Sequence, residues 1–159
     1  MELAGRRGIG LSGRGVACVD EVNDMAIPFL ICMALAANIN HLPPRVLPSI
    51  QAVEGGFVGS VSHNTDGSDD LGVMQVNTQW LVPLSRASLL PPPEVRLRLV
   101  HDGCFNIRAA GLIMRIYLNE TRGDLMRAVG DYHSHTPALN ADYQARVLAA
   151  AQRMFQRAR

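Results

Sequence analysis

A change of period at Glu54-Gly55-Gly56 divides the sequence into an apolar helical part and a turn-rich part. Upstream, Leu47, Ile50 and Val53 recur at helical spacing after Pro43-Pro44, and proline is favoured where a helix starts because its missing N–H is not needed there. Pro48 sits awkwardly inside this run. Glycine accepts the left-handed conformation that closes a helix, so the pattern predicts a second helix ending at Glu54. Downstream, Val58 to Asn77 is rich in Ser, Asn, Asp and Gly, with the turn-forming Asn64-Thr65-Asp66-Gly67 between two extended stretches. A small antiparallel hairpin is the economical reading.

The remainder returns to helical spacing. A first helix is predicted over Met25 to Asn38, with Pro28 tolerated in its first turn. Pro91-Pro92-Pro93 precede a helix from Glu94 to His101. Ala109, Leu112, Ile113 and Ile116 form an apolar stripe, Leu125, Ala128, Val129 and Tyr132 another, and Val147, Leu148, Ala151 and Phe155 a last one. Residues 1–24 carry Arg6-Arg7, several glycines and little periodicity, and read as a flexible extension outside a domain of residues 25–159. There are no internal repeats and no glycine-rich phosphate loop. The pattern therefore predicts a mostly helical α+β domain whose one small antiparallel hairpin follows the second helix.

Composition narrows the partners. A chain of 159 residues with 48% hydrophobic residues buries a core of its own, and a net charge of +1 offers no basic surplus for a nucleic-acid backbone. Met25 to Ala37 is apolar but too short to span a bilayer. Ala34-Leu35-Ala36 resembles a signal-peptide cleavage site, yet Asp20, Glu21 and Asp24 stand where a basic segment is expected, so a buried helix is preferred. Cys18, Cys32 and Cys104 are an odd number, and composition alone does not choose between one disulfide with a spare thiol and three inert thiols.

Of five glutamates, Glu54 alone lies within an apolar helix and directly before two glycines. The negative end of the helix dipole and apolar neighbours both disfavour its ionised form and raise its pKa. A carboxyl protonated near neutral pH is what glycosidic cleavage needs, because the leaving oxygen must receive a proton. The competing reading is an exposed helix-end glutamate without a chemical role.

The run Asn64-Thr65-Asp66-Gly67-Ser68-Asp69-Asp70-Leu71-Gly72-Val73-Met74-Gln75-Val76-Asn77-Thr78-Gln79-Trp80 resembles the active-site hairpin of animal lysozymes, where a glutamate also ends the preceding helix. Over residues 30–152 the chain is more similar to lytic transglycosylases of type IV secretion, conjugation and pilus systems. Pro43-Pro44-Arg45-Val46-Leu47, Gly72-Val73-Met74-Gln75-Val76-Asn77, Cys104-Phe105-Asn106-Ile107 and Ala128-Val129-Gly130-Asp131-Tyr132-His133-Ser134 follow the family's order. The chain departs from it at Gly55, where serine is usual, and at His133, where asparagine is usual.

The resemblance implies a lysozyme-like fold and cleavage of the β-1,4 bond between N-acetylmuramic acid and N-acetylglucosamine in peptidoglycan glycan strands. Glu54 protonates the leaving oxygen and then, as a base, draws the proton from the muramyl C6 hydroxyl, closing a 1,6-anhydro ring. Gln75 and Met74 are expected to line the sugar groove, Tyr132 to lie close to Glu54, and Asn64 or Ser68 to bond the acetamido group. Met74 reads equally as core and Tyr132 as a packed aromatic. Asp70 aligns with the second carboxylate of the animal lysozymes, and is either catalytic or a hairpin residue bonded to the Asn64–Ser68 turn. Asp66 and Asp69 are read as turn and solvent residues. Trp80 is expected to stack on a sugar or fill core beneath the hairpin. His133-Ser134-His135 lacks a third ligand, so no metal is expected, and no cofactor is required. A Cys32–Cys104 disulfide and an oxidising periplasm follow from the same resemblance, with Cys18 as the spare. A monomer without a transmembrane segment, serving a secretion, conjugation or pilus apparatus, is the expected setting. A muramidase that uses water with Asp70, and a non-catalytic wall-binding subunit, remain as alternatives.

Overall fold

The computed structural model describes residue 27 and residues 29–156, so the expected extension, Cys18 and the start of the first predicted helix lie outside the described residues. In chain order the elements are α1 (Leu30–Ile39), α2 (Val46–Glu54), β1 (Val61–His63), β2 (Asp69–Leu71), β3 (Val76–Asn77), α3 (Leu81–Ser88), α4 (Pro92–His101), α5 (Gly103–Glu120), α6 (Leu125–His133) and α7 (Pro137–Phe155). This is the mostly helical α+β architecture expected, with its small antiparallel sheet after the second helix.

The boundaries shift for local reasons. Phe29 has a left-handed backbone, φ 61°, which a helix interior does not accommodate, so α1 starts at Leu30. α2 starts at Val46, two residues after Pro44, and this places Pro48 third in the helix. The first four N–H groups of a helix lack intrahelical partners, so a proline there removes no bond. The predicted hairpin is a three-stranded sheet in the order β1-β2-β3, pairing Ser62 with Asp70 and Asp70 with Asn77. α3 was not expected: it buries only Leu84 and contains Pro83, Ser85 and Ser88, too little of a stripe to show in the sequence.

α5 is the central helix, burying residues from Gly103 to Tyr117 against α1, α4 and α6. A Cys32–Cys104 disulfide ties α1 to α5 across 72 residues, with Cα atoms 5.4 Å apart, as the resemblance implied. Asn106 of α5 is completely buried, and its amide donates to the carbonyls of Leu71 (2.7 Å) and Leu99 (2.8 Å) while its oxygen accepts from the Met74 N–H (2.8 Å). One side chain thus fixes the loop after β2 against α4 and α5. Unmade, such buried bonds cost about 1–3 kcal/mol each. α6 and α7 pack on each other, and α7 also covers α2. Among the described residues no helix is long and apolar enough to cross a membrane.

Candidate active site

Glu54 is the last residue of α2, and the chain turns away from it through Gly55 in the left-handed conformation, φ 64°. Gly56 then passes so close to the loop after β2 that a Cβ on it would lie 2.1 Å from the Gly72 carbonyl oxygen. The two glycines therefore bring the helix end against the sheet. Between them opens a cleft of about 520 Å³, lined by Glu54 on one side and by Asn64, Ser68, Asp70, Gln75 and Asn77 on the other.

Glu54 is mostly buried, and burial is the main force pushing its pKa from 4.5 up to about 7. The Tyr143 hydroxyl of α7 donates to its Oε1 and opposes the rise, Asp70 adds to it, and the Arg146 cation opposes it more weakly. Tyr143 is 1% exposed, with the His133 ring stacked on its own at 4.8 Å and 8° between planes. Of the two causes expected from the sequence, the helix dipole and apolar surroundings, burial is the one that raises this carboxyl toward neutral pH.

The facing wall is a closed set of hydrogen bonds. Asp70 accepts from the side-chain amides of Asn64 (3.0 Å) and Asn77 (2.8 Å), and both amides also donate to the Ser68 hydroxyl. Asp70 therefore does bond the turn, as one of its two readings held, while lying in the cleft that the other requires. Gln75 lines the cleft, but its amide is engaged by its own sheet: Nε2 donates to Gly72 O (2.8 Å) and Ser60 Oγ (3.1 Å), and Oε1 accepts from Ser62 Oγ (2.6 Å). Asp66 is the expected turn residue, accepting from the Ser68 N–H and hydroxyl. Asp69 stays partly exposed but is more than a solvent residue: it pairs with His63 (2.6 Å) and with Arg96 of α4 (2.9 Å), which tie the sheet to the helix and hold its carboxyl below the usual range.

One cleft residue is corrected. Met74 does not line the groove, because its side chain is 0% exposed in the core; only its backbone faces a site residue. Tyr132 lines the cleft near Glu54, with its hydroxyl donating to the Met74 carbonyl (2.9 Å), while the phenol that bonds Glu54 is Tyr143. Burial first, then Glu54, raises the Tyr132 pKa well above its ordinary value. Trp80 lines the cleft and packs edge-on against Tyr117 at 5.7 Å, partly buried against the core. His133 lines the cleft and His135 lies against Tyr117. Among the described residues, no three His, Cys, Asp or Glu side chains cluster as metal ligands would.

Tyr143 and Arg146 were missed. The stripe expected on the last helix centred on Val147 and Leu148, but Leu148 is 50% exposed, and the buried face is Asn140, Tyr143, Val147 and Ala150. The 3-4-3 spacing of those four was present in the sequence. Asn140 at its head disguised it, because it is a polar residue buried by a bond to Asp131 (2.8 Å).

The arrangement can deliver a proton near neutral pH to an oxygen held in the cleft, with polar groups fixed across from it. No family model matches the chain. It is similar to the invasion protein IagB of Salmonella typhimurium strains SL1344 and LT2 and of Salmonella typhi, each 28% identical over 120 residues that cover 72% of this chain and 69% of the relative.

Proposed function

We propose that this chain is a peptidoglycan lytic transglycosylase of the lysozyme superfamily, cleaving the MurNAc-β-1,4-GlcNAc bond with Glu54 as acid and then base. The observation that carries this reading is a single one: a carboxyl of pKa about 7 inside a cleft of about 520 Å³, opposite a polar sheet. At that pKa the protonated form that starts the reaction and the ionised form that completes it are both accessible near neutral pH. Its conjugate base, held by the Tyr143 hydroxyl, takes the proton of the muramyl C6 hydroxyl as that oxygen attacks the anomeric carbon, so the 1,6-anhydro ring closes and no water is consumed. Asp70, anchored by two amides, stands as a fixed negative charge that stabilises the oxocarbenium-like transition state. The Cys32–Cys104 disulfide supports an exported, periplasmic setting, where local opening of the wall for a secretion, conjugation or pilus apparatus is the natural task.

The test is a digest of purified peptidoglycan by wild type and Glu54→Gln, read by mass spectrometry. Anhydromuramyl ends from the wild type, with a rate loss on the order of 10³-fold in the variant, are expected. Reducing ends identify a water-using muramidase instead, and no cleavage by the wild type identifies a non-catalytic binding subunit.

A further inference from the structure

Tyr143 lies on α7 between exposed neighbours, Asp142 and Arg146 among them, yet it is itself sealed from solvent at 1% exposure. It is not part of the cleft wall. His133 is, and its ring lies flat on that of Tyr143 at 4.8 Å, so the imidazole stands between the cleft and the phenol that bonds Glu54.

We propose that His133 is a positioning residue for Glu54 that acts at Tyr143: its stacked imidazole closes the Tyr143–Glu54 hydrogen bond against cleft water. This rests on the reading of Glu54 as the acid and adds what maintains it. Burial is the chief cause of the raised proton affinity of Glu54, so whatever excludes water from this hydrogen bond sets the pH range of the acid. The His133 plane performs the exclusion, and its uncharged form suits the task, since a cation beside Tyr143 would favour ionised Glu54. Partial burial and the neighbouring Arg146 keep the imidazole uncharged to lower pH than usual, against the pull of Asp70 and Asp142. Glu54 itself is faced by Tyr143 and Arg146 from α7, Asp70 from β2 and Tyr132 from α6, and of these His133 stacks on Tyr143.

The experiment is a pH titration of the Glu54 side-chain carbonyl by ¹³C NMR in full-length wild type, His133→Ala and His133→Phe, alongside thermal melts. His133→Ala is expected to lower the Glu54 midpoint by about one pH unit as water reaches the hydrogen bond, and His133→Phe to leave it near the wild-type value. A midpoint unchanged in His133→Ala, or one lowered equally in His133→Phe, overturns the proposal. The melts confirm that both variants are folded when titrated, since His133 ends its helix at the surface. Because the readout needs no substrate, a shift in a protein that fails to cut peptidoglycan sinks the enzymatic reading alone. A wild-type midpoint near 4.5 instead removes the acid assignment itself.

Discussion

Replacing Glu54 by glutamine should make this protein more stable in alkaline solution and leave it unchanged in acid. The folded carboxyl holds its proton up to about pH 7, whereas the unfolded one releases it near 4.5. Between those values the unfolded state loses a proton that the folded state keeps, so the contribution of Glu54 to stability is full below 4.5 and falls as pH rises to about 7. At 1.36 kcal/mol per pH unit the whole window corresponds to about 3 kcal/mol, and because part of the carboxyl faces the open cleft, about 2 kcal/mol is the expected loss. Glutamine keeps an oxygen for the Tyr143 hydroxyl and carries no charge, so the variant lacks this loss. Urea denaturation of both proteins at pH 5 and pH 8 measures it: the two should coincide more nearly at pH 5 and separate at pH 8 in favour of Glu54→Gln. Parallel stability curves across that range would show that Glu54 is an ordinary solvated carboxylate and that the reasoning about its burial is wrong.

Tyr143→Phe keeps the buried ring and its stack on His133 but removes a donor that stabilises ionised Glu54, so the Glu54 midpoint should rise by about one pH unit in a ¹³C titration. Reducing the Cys32–Cys104 disulfide, which closes a loop 72 residues apart in sequence, should cost about 4 kcal/mol in denaturant unfolding with and without reductant. Gly56→Ala drives a methyl against the Gly72 and Val73 carbonyl oxygens, so helix end and sheet must separate; a loss of about 3 kcal/mol or more is expected in thermal melts, and a neutral effect would show that this approach is not tight.

The elements written in strong punctuation were legible from the residues alone. Glu54 ending a helix against Gly55, the turn at Asn64–Gly67 and the proline-led α4 each rest on a local backbone preference, and local preferences survive folding. What escaped was decided by contacts distant in sequence. Tyr143 reaches Glu54 across 89 residues, Asn106 takes up the Met74 N–H across 32, and Asp69 meets Arg96 across 27. α3 escaped for the opposite reason, having almost no buried face to leave a pattern. The disulfide followed from family likeness, and no spacing rule identifies such a pair.

The sheet wall facing Glu54 spends its amides and hydroxyls internally, Asn64, Ser68, Asp70 and Asn77 on one another and Gln75 on Gly72, Ser60 and Ser62. A surface so internally braced has no slack to take up when a saccharide arrives, so differences in affinity between successive ligands should report the new contacts themselves rather than the ordering of a soft receptor.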